Sequence, residues 1–245
     1  MLYEVFIVMK YSVLFGLTLF VAACGGNTSI VSRNGLSDIG SIEKINSASG
    51  GKVSVVKGDL ESSKPNADAS KYYFIFSQSP EVVIEDLKNG STWDKKLSLN
   101  NSGSEFIASK LYLKNNNLHS ITVGSASTII PSGKALYNGD LTIGVLGKVE
   151  NSNELTLVAD FHSEKVSISG FTNSFELRAQ NLQIDPVSAT FFGTDGTISK
   201  KSDGTVFKID IGGAFAGESA SAVHGIGYTD QQGNYTTFTK FLGTR

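Results

Sequence analysis

From Lys52 onward the chain repeats one pattern: short runs in which apolar and polar side chains alternate, broken by Gly, Asn, Asp and Ser. Alternation with a period of two sets the apolar members on one face of an extended strand, so the pattern predicts β-strands. Five runs come first, at residues 53–60, 72–76, 82–87, 106–113 and 118–130, separated by polar turns such as Asn89-Gly90 and Asn100-Asn101. Their irregular spacing predicts a small sheet domain over residues 52–130. After Pro131-Ser132-Gly133 the pattern becomes regular, with runs at 136–149, 155–161, 166–171, 175–184, 190–198, 206–215, 222–228 and 235–242 joined by short turns. Val166/Ile168, Phe175/Leu177/Ala179 and Phe207/Ile209/Ile211 each put apolar side chains on one face with charged or hydroxyl residues between.

Eight antiparallel strands with short connections close into an up-and-down barrel whose interior is just filled by side chains, and closure removes exposed edges. The outward positions are Ser, Thr, Lys, Glu and Asp, too polar for a lipid-facing belt, so this barrel is expected to stand in water. Glycines such as Gly139, Gly193, Gly196, Gly213 and Gly225 permit bulges and tight bends. The expected fold is all-β: a small N-terminal handle-like sheet domain (52–130), then a soluble eight-stranded antiparallel β-barrel domain (133–245).

Composition agrees, with 26 glycines, 4 prolines and a chain rich in Ser, Thr, Asn, Val, Ile and Phe. A net charge of −2 gives no electrostatic footprint for nucleic acid. The first residues carry an address. Lys10, an apolar stretch from Tyr11 to Phe20 and small residues before Cys24 form the layout of a secretory signal, and Met9-Lys10 is its more natural start. Val21-Ala22-Ala23-Cys24 is similar to the lipobox of a bacterial lipoprotein leader. That resemblance implies a signal peptide over residues 1–23, lipidation of Cys24, and membrane contact only through the lipid anchor. Residues 24–51 are small and polar and read as a flexible tether. Gly25 follows the cysteine and no aspartate comes before Asp38, so the expected address is the outer-membrane cell surface, with secretion to the medium as the alternative. Cys24 is the sole cysteine, so no intrachain disulfide forms and stability must come from packing.

Chemistry is sparse. There is no G-x-S-x-G elbow and no H-E-x-x-H helix, and the single cysteine is committed to lipid. Gly144-Val145-Leu146-Gly147-Lys148-Val149 has glycines too close for a phosphate loop and a valine where the hydroxyl is needed, and reads as a strand. Glu81, Glu85 and Asp86 read as a solvated strand edge. The chain is expected to bind something and not to be an enzyme.

The last third carries a resemblance. Tyr137-Asn138-Gly139-Asp140-Leu141, Leu157-Val158-Ala159-Asp160-Phe161 and Val166-Ser167-Ile168-Ser169-Gly170, with Gly213-Ala214-Phe215-Ala216-Gly217-Glu218-Ser219-Ala220 and Gly225-Ile226-Gly227-Tyr228, resemble bacterial surface lipoproteins of the transferrin-binding protein B and factor H-binding protein type. One departure is Ala222-Val223-His224-Gly225, where that group usually has an acidic and an apolar residue before paired glycines. The resemblance implies a handle-like sheet before an eight-stranded barrel, and display by a surface-lipoprotein translocon. A single-lobed chain of this length most resembles the haemophilin-type haem-binding members. That implies non-covalent haem b bound in or beside the N-terminal domain through a histidine ligand, with an outer-membrane haem receptor as a further partner.

Of the three histidines, His119 is the first choice as axial ligand, because Lys114-Asn115-Asn116-Asn117-Leu118-His119 reads as a polar loop between apolar strands. Tyr72, Phe74, Phe106 and Tyr112 are candidates for an apolar pocket wall, although alternating aromatics in strands are ordinarily core. His224 is a second-ligand candidate, and His162 reads as a surface or turn residue. Two functions are therefore expected in competition: haem capture for acquisition or sequestration, and binding of a host protein in the manner of factor H- or transferrin-type surface lipoproteins.

Overall fold

A computed structural model describes residues 54–58, 73–77, 93–101, 105–114, 117–127, 129–186, 188–229 and 237–245. The expected leader, Cys24, the tether, Tyr72 and the expected strand at 82–87 lie outside the described residues. The described strands are β1 (Ser54–Gly58), β2 (Tyr73–Ser77), β3 (Lys95–Ser98), β4 (Phe106–Lys114), β5 (Asn117–Ser125), β6 (Lys134–Val145), β7 (Lys148–Asp160), β8 (Lys165–Phe171), β9 (Phe175–Asp185), β10 (Thr190–Lys200), β11 (Val206–Ala216), β12 (Ala222–Tyr228) and β13 (Thr237–Thr244). A single 3₁₀ turn, Glu218–Ala220, completes them. Among the described residues no helix is long and apolar enough to cross a membrane.

Strands β6 to β13 form the closed eight-stranded antiparallel barrel, β13 returning to β6 from Thr237↔Val145 to Thr244↔Asn138. The other five make an antiparallel sheet in the order β1-β2-β5-β4-β3. Three boundaries differ from the pattern-based expectation. The run at 136–149 is two strands: β6 stops at Val145 and β7 starts at Lys148, and both intervening residues have positive φ, Leu146 at 48° and Gly147 at 84°. A two-residue loop with both centres left-handed matches the twist of a hairpin, but an apolar leucine in it disguises the turn as strand. The Gly144–Val149 stretch is thus a hairpin tip and not a continuous strand. The run at 118–130 stops at Ser125, after which Ala126 makes an isolated bridge to Ala216. β3 falls where no run was expected, since its lysines, Lys95 and Lys96, hide a four-residue edge strand.

The barrel bore is packed solid. Inward side chains of every strand meet there, among them Tyr137, Ile143, Leu157, Ile168, Leu177, Ile198 and Ile211. Phe215 is its hub, with ring centroids of Phe161 at 4.9 Å, Phe191 at 5.4 Å and Tyr137 at 5.9 Å. The Tyr137 hydroxyl donates to the Ala220 carbonyl at 2.7 Å, so this buried polar group is satisfied. Burial pushes its phenol pKa upward, keeping it protonated and able to donate.

The sheet lies against the outside of the barrel. Phe74 and Phe76 of β2 share a buried cluster with Ala214, Ile226, Tyr228 and Phe238 of β11 to β13. Ile107 meets Ala216, Ala222 and Leu242 in a second. β12 therefore has every residue buried, the bore on one side and the sheet on the other, whereas β8 alternates buried and exposed along its length. The sheet is apolar on its far face too, where Ile75, Phe106, Ala108, Ile121 and Val123 cluster with Trp93 and Tyr112 beside them.

Candidate functional site

His119 lies within β5 and not in a loop. β4 ends at Lys114 and β5 begins at Asn117, these two being paired, so Leu118 and His119 already belong to the ladder. The register sets His119 opposite Tyr112, and their rings stack at 5.3 Å with an interplanar angle of 18°. His119 is buried, and Tyr112 is half-buried beside the cluster that contains Phe106. Alternation along β4 and β5 sends Phe106, Tyr112 and His119 to the sheet face turned away from the barrel, while Leu111 and Leu118 face the barrel. Phe74 packs on the barrel side. The expected pocket wall is thus divided: Tyr112 stands beside His119, Phe106 shares that face but lies six residues away along β4 near Ser125, and Phe74 is behind the sheet.

His224 is on the barrel side as well. It has no exposed surface, and its Nδ1 is 3.1 Å from the Thr122 hydroxyl of β5. The ring meets Phe76 edge-on at 5.3 Å and 73°. Its Nε2 has no hydrogen-bond partner, and burial pushes its pKa down to about 3, so the imidazole is neutral. Gly124 makes the fit possible, since a Cβ there would stand 2.5 Å from Nε2. His119 and His224 lie on opposite faces of one sheet, so a single planar ligand does not reach both. His162 sits in the β7–β8 turn, where its amide donates to Asp160 Oδ1 at 3.1 Å, as a turn residue does.

Among the described residues, two recesses bear on function. The first is a cleft of about 300 Å³ between β3–β4 of the sheet and β13–β6–β7 of the barrel. It is spanned by two ion pairs of opposite sense: Lys95 of the sheet with Asp140 of the barrel at 3.3 Å, and Lys240 of the barrel with Asp94 at 3.6 Å. Lys240 is 6 % exposed, and its Nζ donates to Ser109 Oγ at 3.0 Å. Burial lowers the Lys240 pKa, against which Asp94 and Asp140 act to raise it. The sequence offered one signal for this group, a lysine inside the short strand run Phe238-Thr239-Lys240-Phe241-Leu242, and pattern reasoning passed over it.

The second is a recess of about 400 Å³ on the outer wall of β7–β8–β9, lined by Val158, Phe171 and Arg178 among others. The β9 irregularity adjoins it. β9 carries an extra residue against β8, with Asn181 at φ 58°, and β10 carries one against β11 between Gly193 and Gly196. The facing stretches 179–182 and 193–196 consequently lie outside the β9–β10 ladder, which resumes at Thr197↔Arg178. Bulges bend and twist the strand that bears them, and here two of them face each other. Nearby on this wall Leu136 and Val158 are cross-strand partners, 53 % and 39 % exposed, and Phe171 is 48 % exposed.

No group of three or more His, Cys, Asp or Glu among the described residues is arranged to hold a metal ion. A haem iron requires fewer donors, so this bears on free metal ions alone. Comparison with known proteins gives no matching family model and no matching curated protein. Solved structures do match. Isotype 1 transferrin binding protein B from serogroup B Neisseria meningitidis shares 14 % identity at a TM-score of 0.45, over 63 % of this chain and 36 % of that one. Intact Ap-TbpB, with its N and C lobes, shares 13 % at 0.42, over 83 % of this chain and 39 % of that one. A structure described as a surface lipoprotein shares 12 % at 0.41, over 64 % and 83 %. The chain thus spans well under half the length of the first two.

Proposed function

We propose that this chain is a cell-surface lipoprotein that binds a host protein through its outer surfaces. The observation that carries the reading is where space and apolar surface are found: the bore is filled with side chains, while the barrel wall turned away from the sheet bears Leu136, Val158 and Phe171 beside an open recess. Apolar side chains within a polar rim, here Glu154, Glu176 and Arg178, are the composition of a protein-binding patch. The cell-surface address rests on the leader and Cys24, and the transferrin- and factor H-type partners on the resemblance carried by the barrel strands. Catalysis has no part in this proposal.

Haem capture through His119 is the second reading, and the stacked Tyr112–His119 pair favours it. One pair of measurements separates the two. The mature chain is immobilised and exposed to purified transferrin, factor H and whole plasma, with Val158→Asp and Phe171→Asp variants in parallel, and the same preparation is titrated with haemin. Saturable capture of a plasma protein, weakened at least tenfold by either variant and without a Soret band, is the expected result. A Soret band that His119→Ala abolishes, with no plasma protein retained, would overturn the proposal in favour of haem.

A further inference from the structure

The cleft between sheet and barrel contains an ammonium group that its surroundings leave incompletely satisfied. Lys240 carries three N–H donors and is 6 % exposed. One donor reaches Ser109 Oγ at 3.0 Å. The nearest carboxylate oxygen among the described residues, Asp94 Oδ2, forms a long ion pair with it at 3.6 Å and already accepts the Leu111 amide at 2.6 Å. Asp140, the other acid of the cleft, is engaged with Lys95 at 3.3 Å. A buried ammonium costs several kcal/mol unless its donors find acceptors. Lys240 lines a cleft of about 300 Å³ whose walls also include Thr142, Asn151 and Ser152. The Thr142 hydroxyl donates to Asn151 Oδ1 at 2.6 Å, which commits that oxygen and leaves the Asn151 amide NH₂ as a further donor.

We propose that this cleft is a binding site for a singly charged carboxylate, anchored on Lys240 Nζ and assisted by Asn151. The chemistry selects the class. A carboxylate is acceptor-only, and its two oxygens supply the acceptors the ammonium lacks, through charge-assisted bonds stronger than neutral ones. Two lysines and two aspartates line the cleft, so their formal charges cancel. Asp94 and Asp140 therefore oppose a phosphate dianion more strongly than a monoanion. The volume stands at the lower end of the range for small-ligand sites, enough for a few heavy atoms or for the tip of one side chain. A free small acid and an acidic side chain presented by a protein share this chemistry. The inference does not depend on the β7–β9 wall, which lies elsewhere on the barrel.

Isotope-labelled mature chain is titrated with sodium acetate and, separately, with acetyl-Ala-Glu-Ala-amide, using sodium chloride and sodium phosphate at matched ionic strength as controls, and backbone amide shifts are followed. Saturable shifts at Ser109, Thr142 and Lys240 are expected with a carboxylate and absent with chloride. Binding should weaken at least tenfold in Lys240→Met and severalfold in Asn151→Ala, which lies at the rim and tests the site even where Lys240→Met fails to fold. Saturation by acetate identifies a free acid as sufficient, and saturation by the peptide alone identifies an acidic side chain. Absence of saturable shifts with both carboxylates, equal shifts with phosphate, or unchanged affinity in both variants would overturn the proposal.

Discussion

The sheet should detach from the barrel as pH falls, and His224 should be the main cause. Its imidazole is fully buried between β12 and β5, one nitrogen on Thr122 and the other without a partner, so the folded state has no place for a second ring proton. Unfolded, the same side chain protonates near 6.5, and folded it does so only at about 3. Between those values the unfolded chain holds the extra proton, so stability falls as pH is lowered through the window and stops falling below about 3. The full span, at about 1.4 kcal/mol per pH unit, amounts to roughly 5 kcal/mol. From pH 6.5 down to 4.5, about 2.5 kcal/mol is lost from this residue alone, a large share of a typical domain's 5–15 kcal/mol. Lys95, Lys240, Asp94 and Asp140 are the charged groups of the cleft at the same interface, and their contribution cancels when wild type is compared with His224→Gln. Urea unfolding at pH 7, 6, 5 and 4.5 makes the test. Fluorescence of Trp93, the only tryptophan, reports the sheet, and far-UV circular dichroism reports the whole. At pH 7 the variant should be weaker by about 1–2 kcal/mol through the lost Thr122 contact and Phe76 packing. The gap should close and then reverse by pH 4.5. Parallel stability curves for the two proteins would refute the reasoning.

Three further outcomes follow from the packing. Gly124→Ala puts a methyl 2.5 Å from His224 Nε2 and 3.0 Å from Ile107 Cγ2, and should cost about 1–3 kcal/mol by urea denaturation, the Trp93 signal moving before the circular dichroism. Tyr137→Phe removes the donor to the Ala220 carbonyl at the end of the bore and should lower stability by about 1–3 kcal/mol with barrel secondary structure intact. Glu150 is held at about 2 by Lys148, Thr172 and Ser174, so it contributes stability above its ordinary 4.5 that is lost as pH falls through about 2. Glu150→Gln should therefore cost about 1 kcal/mol at pH 7 after allowance for solvent screening, and the difference from wild type should shrink toward pH 2.

The barrel was legible because its free wall is half wet. β8 and β9 meet solvent on one side, so their sequences alternate and each strand announces itself. Legibility failed where a second layer or a turn without turn residues intervened. Leu146-Gly147 reads as strand because nothing in it but one glycine signals positive φ. His119 reads as a loop residue because Asn115-Asn116-Asn117 precedes it, yet the Lys114↔Asn117 pairing pulls it into the ladder. The environment of His224 was out of reach altogether, since it is made by Thr122, 102 residues away in the chain. One signal was present and unused: Ala222-Val223-His224-Gly225-Ile226-Gly227-Tyr228 lacks the polar alternation of β8, and a barrel strand that is apolar on both faces must be covered from outside.

That covering governs what remains for function. The bore is occupied by Phe215 and its neighbours, and the wall of β11 to β13 is occupied by the sheet. Among the described surfaces a partner is left with the opposite wall and the cleft where the two units meet, since Ile75, Ala108, Ile121 and Val123 on the far face of the sheet have no exposed surface. The opposite wall is also where β9 and β10 each carry an extra residue at the same level, giving up ladder bonds along 179–182 and 193–196. The far face of the sheet holds the stacked Tyr112–His119 pair, and the cleft holds Lys240. These three places are chemically distinct: apolar, aromatic with imidazole, and cationic. Substitutions at Val158, His119 and Lys240 therefore probe separate activities, and a change of binding in one variant without change in the other two assigns the ligand to its surface.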